Sequence, residues 1–331
     1  MEITRFTPDD SDTVVAAVEL ANAAGKVDAP FNHPYTVRQY TLMRRHGWDG
    51  EVPELHAARD HDGLVGLVAV HTSEWDNTHL AWLELLVHPD ARGAGRGSQL
   101  LAFAESRARE LGRTSIGLDG WDNDETARFA RKHELPRKGS AIKRRQTLAR
   151  LDRSGLARLR DQAAAAGSSY ELLRISGRTP DHLLDAVAVM TAAINDAPTD
   201  DLDIEDEVYP VERIVAYETA QEGQEQRMYR VVARHRGTGE LAGHTVVAVD
   251  SERPQIGEQH DTSVVAAHRG HRLGLMLKVD MLDWLAETEP QLATIDTWNM
   301  ESNDHMIGVN EALGYQSLGR ELQFQRDVRD R

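Results

Sequence analysis

The sequence predicts an α/β (α+β) protein that contains two copies of one module in a single chain. The chain has 331 residues, which fits two domains of about 150 residues each better than it fits one. Residues 83–97 resemble residues 260–274, and each stretch has the order strand, glycine-containing loop, helix. A repeat with so long a period indicates a duplicated domain rather than a solenoid of short units.

The two stretches match position by position. Arg92 and Arg269 lie 177 positions apart, and Glu84 and Asp261 are separated by the same distance. The second pair places one carboxylate in each copy, on the strand that leads into the loop. These equal spacings support the interpretation as a duplication.

Apolar periodicity predicts the elements of the first copy. Residues 64–70 and 81–87 have the length and composition of strands. A helix follows Gly97 and ends at Gly112, which is a typical C-cap residue. Residues 114–118 then form the next strand.

The second copy repeats this order. Residues 228–234 and 241–249 predict a hairpin, and residues 261–266 predict the strand that leads into the loop. The helix after the loop stops before Pro290, and residues 293–298 form the next strand. Each copy is therefore a strand–loop–helix–strand unit.

The domain organisation follows from the repeat. We expect an N-terminal module over residues 1–150, a linker helix over 151–168 and a C-terminal module over 169–331. Apolar residues at helical spacing in the middle segment indicate the linker helix.

The composition excludes several classes of function. The chain has no cysteine, which excludes disulfides, thiolate metal sites and a cysteine nucleophile, and a cytoplasmic location is expected. The formal net charge of −16 repels nucleic acid and anionic membranes, so neither is an expected partner. No apolar run is long enough to cross a membrane, and the first residues do not form a secretory signal. The 15 histidines show no metal-ligand spacing, so no metal is expected.

The glycine-containing loops predict binding of a pyrophosphate. A helix N-terminus presents unpaired N–H groups and a partial positive charge, and glycine lets the backbone approach an anion closely. The first loop reads Arg-x-x-Gly-x-Gly from Arg92 to Gly97. It lacks the Gly-Lys-Ser/Thr ending of a nucleotide P-loop, and Ser98 replaces the third glycine of a dinucleotide motif. The alternative interpretation is two tight turns between packed elements.

The first copy resembles the GNAT superfamily of N-acetyltransferases. The resemblance rests on the signature Val-x-Pro…Arg-x-x-Gly-x-Gly, which is met by Val87, Pro89, Arg92, Gly95 and Gly97. The second copy is similar from Val264 to Gly274, but Arg272 stands where the first motif glycine is usual. The resemblance implies two tandem GNAT modules, each a mixed, mostly antiparallel twisted sheet flanked by helices.

The tandem arrangement is similar to that of mycothiol synthase-like actinobacterial proteins. That resemblance implies catalysis by the C-terminal module, with an N-terminal module that is non-catalytic or binds CoA. The family's later motif, an Asn before the final helix and a Gly–aromatic pair after it, is matched by Asn303, Gly314 and Tyr315. The tyrosine that often acts as the family's general acid falls on Asn310 and Ala130, so it is absent from both copies.

The resemblance also implies acetyl-CoA as the acyl donor. In the family, the strand backbone binds the pantetheine arm and the loop at the helix N-terminus binds the pyrophosphate. The residues assigned in the first copy are Leu86, Val87, Arg92, Gly93, Ala94, Gly95, Arg96 and Gly97. Those assigned in the second copy are Val264, Val265, Arg269, Gly270, His271, Arg272, Leu273, Gly274 and Asn303.

Acyl transfer to an amine needs a base, because most amines are protonated at neutral pH. On the strand before the second loop the candidates are Glu258, His260 and Asp261. Asp261 is the first choice because Glu84 occupies the equivalent position, and Glu258 is an alternative that would relay protons through water. The alternative role for Asp261 is that of a hydrogen-bonding partner that fixes the strand or loop.

An acidic run from Asp196 to Glu207 precedes the hairpin of the second copy. It lies where this fold builds the wall of the acceptor site, so one interpretation is a pocket edge for a cationic amine. The other interpretation is a solvated loop.

The sequence therefore predicts an acetyl-CoA-dependent N-acetyltransferase. We expect its acceptor to be a small-molecule primary amine that attacks the thioester directly, and we expect a monomer or homodimer. The alternative is a catalytically inactive acyl-CoA-binding sensor or scaffold, which the missing tyrosine and Arg272 favour. A third interpretation is acyl transfer to a protein N-terminus or lysine.

Overall fold

The computed structural model describes residues 1–61 and 63–329 of the chain. These residues form two compact units. Unit 1 comprises Met1–Ala141, Thr199–Asp206 and Gly319–Arg331, and unit 2 comprises Ile142–Pro198 and Glu207–Leu318. Within the described ranges, every helix is too short or too polar to cross a membrane.

The helices and strands alternate along the chain. The first are β1 (Glu2–Phe6), α1 (Ser11–Asp28), α2 (Val37–His46), β2 (Glu54–Asp60), β3 (Gly63–Thr72), β4 (Leu80–Val87), α3 (Arg96–Glu110), β5 (Ser115–Trp121) and α4 (Asp124–Lys132). The middle elements are β6 (Arg137–Thr147), α5 (Arg153–Ala166), β7 (Tyr170–Ser176), α6 (Leu184–Thr191) and α7 (Val211–Gly223). The last are β8 (Gln226–His235), β9 (Leu241–Asp250), β10 (Ile256–Val264), α8 (Leu273–Thr288), β11 (Thr294–Met300), α9 (Asp304–Ala312) and β12 (Tyr315–Asp327).

Unit 1 contains a mixed, mostly antiparallel sheet with the strand order β1-β2-β3-β4-β5-β12. β4 and β5 are parallel, and the other neighbouring strands are antiparallel. α1 and α2 cover one face, where they pack with Leu55, Leu67 and Leu86. α3 covers the other face, where Leu100 and Leu101 are fully buried. The unit therefore has one apolar core on each face of its sheet.

Unit 2 repeats this plan with the strand order β6-β11-β10-β9-β8-β7. β10 and β11 are parallel, whereas β7 to β10 are antiparallel to one another. α6 and α7 cover one face with Val187, Met190 and Ile214. α8 covers the other face with Leu277 and Met281. The fold class predicted from the sequence is confirmed in both units.

The predicted linker helix forms as α5 and belongs to unit 2. Leu156 and Leu159 of this helix pack against the same core as α8. The C-terminal strand begins in unit 2, but from Gly319 onward it belongs to unit 1, where residues 321–327 pair with β5. Each compact unit thus takes strand segments from separate parts of the chain. The continuous modules over residues 1–150 and 169–331 stay a prediction.

The strand that leads into the second loop begins earlier than predicted. β10 starts at Ile256 because Ile256 and Gly257 already pair with Thr294 and Ile295 of β11. It ends at Val264, where the backbone turns into a short 3-10 helix over Ala266–His268. The apolar Val265 and Ala266 extend the sequence pattern of the strand without extending its hydrogen bonds.

Candidate functional site

In unit 2, β10 and β11 separate part of the way along their length. Their parallel register ends where Glu258 pairs with Asp296, whereas β10 continues to pair with β9 as far as Val264. In unit 1, β4 and β5 separate in the same way after Leu83. Beyond each separation point, the strand has one edge that can hydrogen-bond an extended ligand as an added strand would.

β10 has a β-bulge at the separation point. Gln259 pairs with Val247 and Thr262 pairs with Thr245, so His260 and Asp261 together lie opposite the single residue between Val247 and Thr245. Bulges of this kind re-aim side chains and are frequent beside active sites. In unit 1, β4 pairs with β3 in one unbroken register from residue 81 to residue 87. The bulge therefore distinguishes the two units.

Glu84 occupies the place of the bulge in unit 1 and is an ion-paired carboxylate. Arg44 of α2 donates to both of its oxygens, at 3.0 and 2.5 Å, and Nε2 of His71 lies 2.7 Å from Oε1. Burial alone would raise the pKa of Glu84, but Arg44 and His71 outweigh it and hold the pKa well below its usual range. Glu84 is therefore a fixed anion that holds α2 against β4.

Asp261 has no such partner. Of the residues that the structure describes, none donates a hydrogen bond to its carboxylate or forms an ion pair with it. Burial and the nearby charge of Glu207 raise its pKa to about 6, although Arg230 and Arg213 act in the opposite direction. This environment does not match the alternative role as a hydrogen-bonding partner of the strand or loop.

His260, the other residue of the bulge, is a neutral side chain. Its Nδ1 lies 2.6 Å from the hydroxyl of Tyr217 on α7. Burial, together with the positive charge of Arg230, lowers the pKa of His260 to about 3. A ring with so low a pKa is a weak base, so His260 positions Tyr217 better than it accepts a proton.

Glu258 lies on the same face of the sheet as Asp261, one register step earlier. It pairs with Ala248 of β9 and, on its other side, with Asp296 of β11. Arg145 donates to Asp296 at 2.6 Å, and Lys143 lies 3.3 Å from the same carboxylate. Glu258 is solvent-accessible, but partial desolvation by the surrounding protein raises its pKa. The charge of Lys143 lowers this pKa and that of Asp296 raises it. Both predicted bases are therefore on the face that α6 and α7 cover.

The two predicted pyrophosphate loops have closely similar backbones. Arg92 and Arg269 have φ/ψ values of −71°/165° and −72°/165°. At the N-cap of the following helix, Gly95 has φ 80° and Arg272 has φ 54°, both in the left-handed region. Arg272 thus adopts the conformation of the motif glycine that it replaces, and its guanidinium donates to Gln162 at 2.7 Å.

Both loops leave room for a ligand. A Cβ atom built on Gly93, Gly95, Gly270 or Gly274 would meet no heavy atom within 4 Å. The helices that follow the loops have 15 and 16 residues, so each presents a full set of N-terminal N–H groups. The loops therefore have the space and the free N–H groups that an anion such as a pyrophosphate needs.

The loop arginines differ in their partners. Arg92 donates to Asp28 at 2.6 Å and to Glu125 at 2.8 Å, so two carboxylates offset its charge. Arg269 donates to the backbone oxygen of Val264 at 3.1 Å and forms one ion pair, with Asp196. Both arginines brace the loop against the preceding strand, and neither has a guanidinium without an acidic partner.

Asn303 and its counterpart Asn123 cap the helices α9 and α4. The side chain of Asn303 accepts a hydrogen bond from the N–H of Met306 at 3.2 Å, and Asn123 accepts one from Thr126 at 2.9 Å. An asparagine N-cap satisfies one of the four unpaired N–H groups at a helix start. This placement accounts for the asparagine in both copies by helix capping.

Unit 2 contains a series of buried, hydrogen-bonded polar side chains at a place where unit 1 is apolar. Nζ of Lys278 donates to Asn310 at 2.9 Å, and Asn310 donates to Asn299 at 2.7 Å. Burial lowers the pKa of Lys278 to about 7. The matching residues of unit 1, Leu101 and Ala130, are members of one apolar cluster. Sequence reasoning missed this series, although a lysine on the apolar face of a predicted helix is a usable signal.

The acidic run divides between the two units. Residues 199–206 belong to unit 1, where the N–H of Asp203 donates to Gln325 and that of Glu205 donates to Asn77, both at 2.7 Å. Glu207 belongs to unit 2, where it accepts a hydrogen bond from Tyr209 at 2.7 Å. Only Glu207 of the run contributes to the pKa of Asp261. Among the described residues there is no cluster of histidine and carboxylate groups that would hold a metal ion.

The separated strands and the two loops are the arrangement that GNAT-type acyltransferases share. Residues 24–134 match the model of the acetyltransferase (GNAT) family. A search of curated protein sequences finds no match. More particularly, the whole chain has the architecture of a tandem GNAT protein. It is similar over 99% of its length to a tandem GNAT protein from the clavulanic acid biosynthesis pathway, with a TM-score of 0.80, 25% identity and 98% coverage of that chain.

Two further solved structures share the fold. A GCN5-related N-acetyltransferase from Sphaerobacter thermophilus matches 99% of this chain and 96% of its own, with a TM-score of 0.68 and 15% identity. The GCN5-related glucosamine N-acetyltransferase region of a fungal multi-domain GH3 β-N-acetylglucosaminidase matches 98% of this chain and 38% of its own. Its TM-score is 0.69 and its identity 15%. The similarity to mycothiol synthase-like proteins stays a prediction.

Proposed function

We propose that unit 2 transfers an acetyl group from acetyl-CoA to a small-molecule primary amine, with Asp261 as the general base. The observation that carries this proposal is the contrast between the two units. Asp261 lies in a β-bulge without a hydrogen-bonding partner among the described residues, whereas Glu84 is held by Arg44 and His71. Only the first of these carboxylates is available to accept a proton.

The features of the second loop support the binding of acetyl-CoA there. Gly270 and Gly274 leave open space above the backbone, and Arg272 adopts the left-handed conformation that the motif requires. The edge of β10 from Thr262 to Val264 lies beyond the last residue that pairs with β11, and it would hydrogen-bond the pantetheine arm. Bound acetyl-CoA would supply the acetyl thioester at this edge.

The chain's own residues provide the remaining chemistry. Asp261, with a pKa of about 6, is ionised at neutral pH and is a stronger base than an ordinary aspartate. It accepts the proton that the ammonium form of the acceptor loses, and the freed nitrogen attacks the acetyl carbon. That carbon exchanges its bond to sulfur for a bond to nitrogen, the nitrogen releases its second proton, and the sulfur takes up one proton. Asp261 returns its own proton to solvent, so the products are the amide, the thiol of coenzyme A and one proton. General-base assistance of this kind accelerates a reaction by about 10²- to 10⁴-fold.

For unit 1 we propose acyl-CoA binding without turnover. Its loop meets the whole glycine motif and leaves the same open space over Gly93 and Gly95. The carboxylate at the equivalent strand position, that of Glu84, already forms an ion pair with Arg44. A second binding unit of this kind would regulate or stabilise the protein rather than catalyse.

The test uses one matched pair of variants. Ala94 and His271 are exposed, occupy the same position in the two loops and have backbones that any residue can adopt. Glutamate at either position puts a negative charge beside the expected pyrophosphate. Acetyl-CoA binding is measured by calorimetry, and release of coenzyme A is measured with a panel of small primary amines.

We expect the wild type to bind two acetyl-CoA molecules and to acetylate at least one amine. His271→Glu is expected to lose one binding site and to raise the KM for acetyl-CoA about tenfold or more. Ala94→Glu is expected to lose the other site and to leave turnover to unit 2. Binding without turnover of any amine would instead favour the acyl-CoA sensor or scaffold. Loss of turnover in Ala94→Glu alone would assign catalysis to unit 1.

A further inference from the structure

The face of unit 2 that α6 and α7 cover has a row of polar side chains beside the bulge. Arg230 of β8 lies opposite Val246, the same residue that His260 and Asp261 oppose from the other side. One step along the sheet, His244 of β9 lies opposite Ser263 of β10. Directly opposed side chains have Cβ atoms about 4.5–5.5 Å apart, and diagonal neighbours are about 7–8 Å apart. These residues are therefore close neighbours on one face.

Three members of this row are buried with unused hydrogen-bonding atoms. Arg230, His244 and Ser263 are 5%, 1% and 7% exposed. Within the described part of the chain, Nη1 of Arg230, both ring nitrogens of His244 and Oγ of Ser263 have no hydrogen-bond partner. Buried polar atoms are almost always paired, so four such atoms on one face require an explanation. A bound ligand that supplies hydrogen-bond partners for these atoms is one explanation.

Unit 1 shows that the fold does not need these polar groups. The residues at the same register positions are Leu55, Leu67 and Leu86, which pack together under α1 and α2. An apolar filling is thus compatible with this sheet face. The polar filling of unit 2 coincides with the unpaired Asp261, so the row and the base occur in the same unit.

The donors and acceptors of the row specify the complementary group. Arg230 offers only donors, and its charge is already matched by Glu218, which lies 3.2 Å away and also accepts two hydrogen bonds from Thr179. Burial keeps His244 neutral by lowering its pKa, so one of its ring nitrogens is a donor and the other an acceptor. Ser263 can act as both.

A hydroxyl group matches this set, because it donates once and accepts twice. A carboxylate does not match it, because it only accepts and would add a second negative charge beside Glu218. An apolar group would leave every atom of the row unpaired. The choice between these three groups therefore follows from hydrogen-bonding capacity and charge.

We propose that Arg230, His244 and Ser263 form the floor of the acceptor pocket and select an amine that carries a hydroxyl group at the far end from the reacting nitrogen. This inference rests on the proposed function, since the ammonium end would lie at Asp261. Asp261 and His260 are the partly accessible members of the row, whereas His244 and Ser263 are its buried end. The acceptor enters past the bulge and places its hydroxyl at the buried end.

The test compares three amines that differ only at one end of a straight chain. Aminobutanol, pentylamine and aminopentanoate present a hydroxyl, a methyl and a carboxylate group opposite the amine. We expect kcat/KM for aminobutanol to exceed that for either of the others by about 10²-fold or more, because a site built to bind a hydroxyl rejects analogues that lack it. Equal values for the three amines would overturn the proposal.

Variants test the row itself. His244→Leu combined with Ser263→Ala removes three of the four unused atoms and makes both positions apolar, as they are in unit 1. We expect it to reduce the preference for aminobutanol over pentylamine to less than about tenfold, mainly through the KM of aminobutanol. Thr245→Val is the control, because Thr245 is a buried hydroxyl on the opposite face of the same strand. It should keep the preference unchanged.

A readout independent of turnover separates this proposal from the proposed function. Aminobutanol should raise the melting temperature of the wild type more than pentylamine does, and should do so less in the His244→Leu, Ser263→Ala variant. Turnover of all three amines without discrimination would leave the acetyltransferase function standing and refute the hydroxyl pocket. Selective stabilisation by aminobutanol without turnover would support the pocket and refute the catalysis.

Discussion

Glu84 and Asp261 lie at equivalent positions of β4 and β10, but their carboxylates have opposite surroundings. Arg44 and His71 approach Glu84 to 2.5 and 2.7 Å, whereas Asp261 has neither a hydrogen bond nor an ion pair among the described residues. The pKa of Glu84 is held low by its partners, and the pKa of Asp261 is raised to about 6 by burial and by Glu207. Duplication has thus produced one structural carboxylate and one that can take a proton.

The pH dependence of catalysis follows from the pKa of Asp261. The charged and titratable groups that face it are Glu207, Arg213, Arg230, Tyr209 and Tyr217. The carboxylate must be ionised to act as a base. We expect kcat/KM for an amine to fall below about pH 6 in the wild type and this limb to disappear in Asp261→Asn. Glu258→Gln is the control. A limb that vanishes in Glu258→Gln and persists in Asp261→Asn would identify Glu258 as the base.

The same residue links activity to stability. A carboxyl group whose folded pKa of about 6 exceeds the usual aspartate pKa of 3.8 binds more protons in the folded state between these two values. Its favourable contribution is therefore complete below pH 3.8 and is lost as the pH rises through 6. We expect Asp261→Asn to increase the free energy of unfolding by about 2 kcal/mol at pH 8 and by little at pH 4, measured by denaturant unfolding. Equal effects at both pH values would contradict a raised pKa.

The buried Lys278 predicts a second pH dependence. Its folded pKa of about 7 lies below the usual lysine pKa of 10.5, so the unfolded state binds more protons between these values. The penalty for the buried charge is complete below pH 7 and disappears as the pH rises toward 10.5. The double variant Lys278→Leu, Asn310→Ala recreates the Leu101 and Ala130 pair of unit 1. We expect it to stabilise the protein by at least about 1 kcal/mol at pH 6 and by less at pH 9. A gain that does not depend on pH would show that Lys278 stays charged in the folded state at both pH values, and would contradict its lowered pKa.

Arg272 provides a test of how the second loop binds its ligand. Its backbone already has the left-handed conformation of the motif glycine, and its side chain is directed to Gln162. We therefore expect Arg272→Gly to change the acetyl-CoA affinity less than about threefold in calorimetry, and the stability by less than about 1 kcal/mol. A loss of affinity greater than about tenfold would show that the guanidinium itself contacts the ligand.

The sequence was sufficient to predict the repeated framework. Gly93 and Gly270 have positive φ values, which glycine adopts more easily than other residues. The need for glycine is therefore local, and the loops could be recognised without tertiary information. The equal spacing of Glu84 and Asp261 also placed both carboxylates on equivalent strands. The sequence did not distinguish their environments, because Arg44 reaches Glu84 from a helix about forty positions earlier in the chain.

The features that the sequence did not predict all depend on tertiary contacts. The bulge at His260 and Asp261 needs the register with β9, which an apolar alternation pattern does not fix. The assignment of residues 321–327 to unit 1 depends on strand pairing between distant segments. Arg230, His244 and Lys278 are polar residues that a composition-based analysis places at the surface, whereas the fold buries them.

The most direct test of the account compares Asp261→Asn with Glu84→Gln in the full chain. Both variants replace a carboxylate by its amide at equivalent strand positions, and kcat/KM for an acetylated amine is measured at pH 8 with thermal stability as a check on folding. We expect Asp261→Asn to lose about 10²-fold or more in kcat/KM while it remains folded. Glu84→Gln should retain activity within about threefold, even if the loss of its ion pair with Arg44 lowers the melting temperature. Full activity of Asp261→Asn together with inactivity of a folded Glu84→Gln would contradict the assignment of catalysis to unit 2.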